Sequence, residues 1–178
     1  PLVPKGYEIA HEQFRLPIDP ASRSFSVQGP ALQCSENGNL LSVQSSRVAF
    51  VFDKSTGLVT SYKVKGTEYF HEGFGIQPNF WRAPNDNDYG SQMPKRLQIW
   101  KQSSKNFNVV DASLAMDGKD AVLKVSYLLA AGNLYIATYR IHPSGVVKAN
   151  YTFTSTEMEA AKTEASEATL MATFTPGN

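Results

Sequence analysis

The chain has 178 residues, 42% of them hydrophobic, 11% aromatic and 19% charged, with a formal net charge of +1. This composition can bury one domain with a real core, or one domain plus part of another, and it excludes a disordered chain. The near-neutral balance leaves no electrostatic footprint for nucleic acid or an anionic membrane, and a single cysteine, Cys34, excludes an intrachain disulfide framework and a cysteine-based zinc site.

From the N-terminus, YEIAHEQFRL alternates as an extended strand and is cut by Pro17, Pro20 and the polar run ASRS. Residues 1–18 therefore read as the last strand of a domain whose other strands lie upstream, since a lone strand is not stable in water. Beginning at Pro1 without an initiator Met or a signal-peptide pattern, the chain reads as a piece of a longer protein. Residues 19–39 read as a linker, and residues 40–178 as the N-terminal part of a second domain.

In that second domain SRVAFVF places Val48, Phe50 and Phe52 on one face, against Arg47, Ala49 and Val51 on the other. The turn residues DKSTG follow, and LVTSYKV predicts a partner strand with Leu58, Thr60, Tyr62 and Val64 together and Val59, Ser61 and Lys63 opposite. Further on, AVLKVSYLL aligns Leu123, Val125, Tyr127 and Leu129. After AAGN, NLYIATYRI aligns Tyr135, Ala137, Tyr139 and Ile141. After HPSG, VVKANYTFT aligns Val147, Ala149, Tyr151 and Phe153. These three runs predict an antiparallel meander. The tail TEMEAAKTEASEATLMATF has helical propensity in its first half without a clean apolar stripe, and reads as a loop or insertion followed by one strand, ATLMATF. A half-polar antiparallel sheet must cover its apolar face, so the fold class is all-β, an antiparallel β-sandwich.

Between these blocks lies NFWRAPNDNDYG, residues 79–90, which has neither sustained alternation nor a helical stripe and carries the turn formers Pro84, Asn85 and Gly90. It reads as a structured loop. On an extended chain Asp86 and Asp88 would face the same way and could line a cleft, while the structural reading makes the Asn and Asp side chains caps to backbone N–H groups. Arg82 is placed to fold back on Asp86 or Asp88 as a bidentate pair. Phe80 and Trp81 would serve either the core or a sugar ring.

Other chemistry is poorly supported. Counted as an EF-hand from Asn85, the loop puts Gly90 at the sixth position, but Tyr89 and Arg96 fall where oxygen ligands are required. The three histidines, at 11, 71 and 142, are too far apart for a local metal motif, so no metal site is assigned. The sequon Asn150-Tyr151-Thr152 lies on a predicted strand and reads as coincidence. None of the carboxylates sits at a strand end in a catalytic-looking run, and no nucleophile elbow or phosphate loop is present.

The run Trp81-Arg82-Ala83-Pro84, with Asn85 at a variable position, then Asp86-Asn87-Asp88 and Gly90, closely resembles a signature of the large β-galactosidases of glycoside hydrolase family 2. The run 5–14 is similar to the closing strand of the immunoglobulin-like domain before that signature, with His11 where family members often carry an aromatic. FDKSTGLVTSYKVKGTEYF is similar to the hairpin leading into the signature. The resemblance extends to about residue 155 and implies part of a galactose-mutarotase-like supersandwich that packs beside a catalytic TIM barrel. It implies a parent that hydrolyses terminal non-reducing β-D-galactosides with retention, through two glutamates that belong to the barrel. Neither glutamate motif occurs here, so no catalytic residue is assigned and the chain alone is expected to be inactive.

What the resemblance further implies is a supporting role: Arg82, Asp86, Asn87 and Asp88 form a hydrogen-bonded turn at the active-site rim, Gly90 is its flexible joint, and Trp81 is a candidate sugar contact. The barrel and the other domains of the parent are the expected partners, together with the β-galactoside substrate. A magnesium ion and a monovalent cation are expected at the barrel and none in this chain. A soluble setting in the bacterial periplasm or cytoplasm is expected. The alternative is an autonomous carbohydrate-binding module using Phe80, Trp81 and the 86–88 run.

Overall fold

The computed structural model describes residues 4, 6–8, 28–154 and, as backbone, 168–174. Two antiparallel sheets of five strands each run in chain order. The first holds β1 (Gln33–Asn37), β2 (Leu40–Gln44), β3 (Val48–Asp53), β4 (Leu58–Val64) and β5 (Thr67–Glu68). The second holds β6 (Asn108–Asp117), β7 (Asp120–Leu128), β8 (Leu134–Ile141), β9 (Val147–Thr154) and β10 (Ala168–Phe174), in spatial order β10-β9-β8-β7-β6. Three short helices bridge the sheets: α1 (Asp86–Gly90), α2 (Met93–Arg96) and α3 (Gln98–Ser103).

The sandwich forms because each sheet has one apolar face. From the first come Leu41, Val43, Val48, Phe50, Phe52, Val59, Tyr62 and Val64, and from the second Leu123, Val125, Tyr127, Ala137, Tyr139, Ile141, Val147 and Ala149, all buried in one cluster. Phe50 meets Tyr139 across the layers at a ring separation of 5.8 Å. Each such large side chain contributes roughly 1.5–3 kcal/mol of transfer free energy.

Hydrogen bonds reinforce the layers reciprocally. Tyr127 of the second sheet donates its hydroxyl to the Gly57 carbonyl in the β3–β4 turn at 3.0 Å, and Tyr62 of the first sheet donates its hydroxyl to Gly145 in the β8–β9 turn. Arg47 Nε adds a bond to the Ser144 carbonyl of the same turn. Gly57 has φ +70, and a Cβ there would come within 3.0 Å of Phe107 and Val109. Only glycine lets this turn approach Tyr127 so closely.

The strands expected in SRVAFVF, AVLKVSYLL, NLYIATYRI and VVKANYTFT are present at 48–53, 120–128, 134–141 and 147–154 with the expected faces inward, and ATLMATF is β10, paired to β9. One face differs. In β4 Val59 is buried, whereas Leu58 and Thr60, expected inside, are only half-buried. The register passes from Val51↔Ser61 to Phe52↔Val59, so Thr60 is the extra residue of a bulge. A bulge flips the alternation on one side of itself, which is why Tyr62 and Val64 keep the expected face and the start of the strand does not.

Two further differences concern elements the patterning did not signal. The first sheet begins at Gln33, inside the stretch expected to be a linker, and β6 carries a bulge at Val110, which is exposed. The N-terminal strand expected in residues 1–18 and the helix-prone part of the tail lie almost entirely outside the described residues. Asn150 sits in mid-β9 with its side-chain oxygen buried and unpartnered, so the sequon amide belongs to the sheet.

Candidate functional site

Residues 79–90 close on themselves through their own polar groups. The Trp81 N–H donates to Asn79 Oδ1 at 3.0 Å, which turns the chain into Arg82. Arg82 then holds Asp88 with both nitrogens, Nη1 to Oδ2 at 2.5 Å and Nη2 to Oδ1 at 2.8 Å. Asp88 Oδ2 also accepts from the Asn85 N–H at 2.8 Å, and the Asp88 N–H returns a bond to Asn85 Oδ1 at 3.1 Å, a reciprocal capping box. One carboxylate therefore fixes both the arginine and the start of α1.

The electrostatics follow from that geometry. The Arg82 guanidinium, with help from the Asn85 N–H, lowers the Asp88 carboxyl below its ordinary value, and Asp88 in turn raises Arg82. Asp88 is the shielded partner, its side chain 13% exposed against 63% for Arg82. Asp86 and Asp88 also stand in the first turn of α1, where negative charge complements the helix dipole.

Expected and observed placements differ in three respects. Helical geometry turns residues two apart to different sides, so Asp86 and Asp88 do not share one face as they would on an extended chain. Asp88 is engaged in the loop, whereas Asp86 and Asn87 are exposed at its surface. Gly90 ends α1 with an ordinary backbone, and a Cβ there would meet open space; the left-handed residue is Gln92, at φ 57. The left-handed turn into α2 is therefore made at Gln92.

Of the aromatics, Phe80 turns inward against Trp100, Tyr135 and Phe153, and its N–H is held by Ser104 Oγ at 2.7 Å. Phe80 is thus separated from the 86–88 run that the carbohydrate-module reading grouped it with, while Trp81 is half-buried. The reading of the Asn and Asp side chains as caps to backbone N–H groups holds at Asn85 and Asp88, and Asn85 followed by Asp88 three residues later is the signature of a capping box. Patterning gave no signal for Tyr89, 63% exposed on α1, or for Phe74, 70% exposed beside a tight turn with left-handed Glu72 and Gly73.

Among the described residues no three His, Cys, Asp or Glu side chains gather in a geometry that fits a metal ion, and no helix is long and apolar enough to cross a membrane.

A family model described as the β-galactosidase small chain matches residues 44–174, which include β3 to β10 and the whole of the 79–90 loop. The β-galactosidase of Priestia megaterium (strain DSM 319 / IMG 1521) is 36% identical over 137 residues, covering 70% of this chain and 13% of that protein. The β-galactosidase of Kluyveromyces lactis is 30% identical over 126 residues, covering 68% of this chain and 12% of that protein. The β-galactosidase small subunit of Latilactobacillus sakei is 29% identical over 77 residues, covering 43% and 24% respectively. This chain thus spans only 13% and 12% of the first two relatives' length. The two-sheet fold, the loop signature and a match over most of the sequence agree: the chain belongs to the β-galactosidase small-chain family.

Proposed function

We propose that this chain is a non-catalytic region of a β-galactosidase, supporting a catalytic barrel and shaping the rim of its galactoside pocket. The parent hydrolyses terminal non-reducing β-D-galactosides with retention, and both catalytic carboxyl groups lie in the barrel. The observation that carries the reading is the Arg82–Asp88–Asn85 lock. It holds a polar loop in one shape on a rigid sandwich, while Asp86, Asn87 and Tyr89 remain exposed for a neighbouring domain or a sugar hydroxyl. Loop shape is the first task of these polar groups and sugar contact the second.

Such a rim acts by position, and a misplacement of about 1 Å caused by a change far from the chemistry is costly. In the full-length enzyme Asp88→Ala is expected to lower kcat/KM by about 10-fold. Unchanged kcat and KM would reject the rim role. The chain by itself is expected to release no product from an aryl β-galactoside, and turnover by it would reject the non-catalytic reading.

A further inference from the structure

Residues 76–80 run past the face of β8 and β9, and between them opens a cleft of about 510 Å³. This falls within the range of about 300–1,000 Å³ common for small-molecule sites. Phe80, Tyr135, Tyr151 and Phe153 form its walls, and the exposed side-chain amides of Gln77 and Asn79 border it.

Three properties define what could fill it. None of the lining residues is charged, so an ionic ligand would lose its hydration without gaining a counter-charge. The Tyr135 and Tyr151 rings lie parallel, 9° apart in plane with centroids 5.9 Å apart, and their edges carry hydroxyls that phenylalanine would lack. Burial raises both phenols, so they are neutral donors across the physiological range. Asn79 spends Oδ1 on the Trp81 N–H, which leaves its NH2 group for a ligand.

We propose that this cleft binds a neutral pyranose ring. A pyranose has one face of weakly positive C–H hydrogens, which suits the negative face of an aromatic ring, and an equatorial belt of hydroxyls that needs uncharged donors and acceptors. Tyr135 and Tyr151 supply the stacking surface, and Gln77 and Asn79 supply the hydroxyl partners. The site lies on the β8–β9 face, uses none of the Arg82–Asp88 lock, and does not depend on the rim role.

The test is an NMR titration of the protein, labelled at tyrosine and at side-chain amides, with lactose and methyl β-D-galactoside to about 50 mM, where a site with a dissociation constant of about 1–10 mM saturates. The expected result is saturable shifts at Tyr135, Tyr151 and Gln77. Tyr151→Phe, which keeps the ring, should weaken binding about 3- to 10-fold, and the surface change Gln77→Ala should also weaken it while leaving the spectrum of the fold intact. Any of three results overturns the proposal: no shift from the folded protein, shifts confined to residues 81–90, or tyrosine shifts produced by phenol and by neither sugar. Self-association through the same tyrosines without sugar binding would also overturn it and assign the cleft to a protein contact.

Discussion

Arg82 binds Asp88 through both carboxylate oxygens across a six-residue loop, at 2.5 and 2.8 Å. The same carboxylate caps α1 through the Asn85 N–H, so the pair and the cap form one unit. Removing the side-chain acceptor of the cap should loosen α1 without unfolding the sandwich. Asn85→Ala is expected to cost about 1 kcal/mol locally, which speeds hydrogen exchange of the Asp88 and Tyr89 amides about 5-fold while the β3 and β7 amides keep their rates.

Acid should have the same local effect, with a definite sign. The folded Asp88 carboxyl titrates below the ordinary aspartate value of 3.8, so it stabilises the loop at pH values above 3.8 and loses that contribution as pH falls through its lowered folded value. Exchange in α1, corrected for intrinsic rates, should rise on acidification in the wild type. In Asp88→Asn it should be fast throughout and nearly pH-independent over the same window.

The reciprocal tyrosine bonds predict an alkaline effect of opposite sign. Burial raises the Tyr62 phenol from 10.0 to about 12, so its contribution is complete below pH 10 and disappears as pH rises toward 12. Urea midpoints measured between pH 9 and 12 should fall steeply for the wild type and less for Tyr62→Phe. At neutral pH, Tyr127→Phe, which leaves the Gly57 carbonyl without its phenol, should cost about 1–2 kcal/mol.

Gly57 and Gly38 separate backbone conformation from packing. Both have positive φ, +70 and +57, but a Cβ at Gly57 meets Phe107 and Val109 at 3.0 Å whereas one at Gly38 meets open space. Gly38→Ala should cost about 1 kcal/mol, and Gly57→Ala about 1–3 kcal/mol more, read as a shift in denaturation midpoint.

What the sequence disclosed, and what it hid, follows from the range over which each interaction acts. Val48, Phe50 and Phe52 declare a strand because neighbours along the chain alternate between core and surface. Thr60 conceals a bulge because its type fits a strand equally well, and only the pairing with β3 makes it the extra residue. The edge strand β6 gives a weak pattern, its side chains mostly exposed or half-buried. In the loop, the Arg82–Asp88 pair was within reach of spacing and turn chemistry, but the choice of Asp88 over Asp86 depends on the capping box at Asn85. The Tyr62–Gly145 and Tyr127–Gly57 bonds join residues 83 and 70 positions apart, and no local pattern announces them. The cleft beside Tyr135 and Tyr151 was equally out of reach, because it needs the 76–80 segment brought against β8 and β9.

We propose that the locked 79–90 loop shapes a galactoside pocket in the parent enzyme. The most direct test is a double-mutant cycle in full-length β-galactosidase, with kcat and KM measured for Arg82→Ala, Asp88→Ala and the double variant. If the pair acts as one unit, each single change should lower kcat/KM by about 10-fold and the double variant should be no worse than either. Wild-type kinetics in all three would contradict the account, as would independent losses that simply multiply.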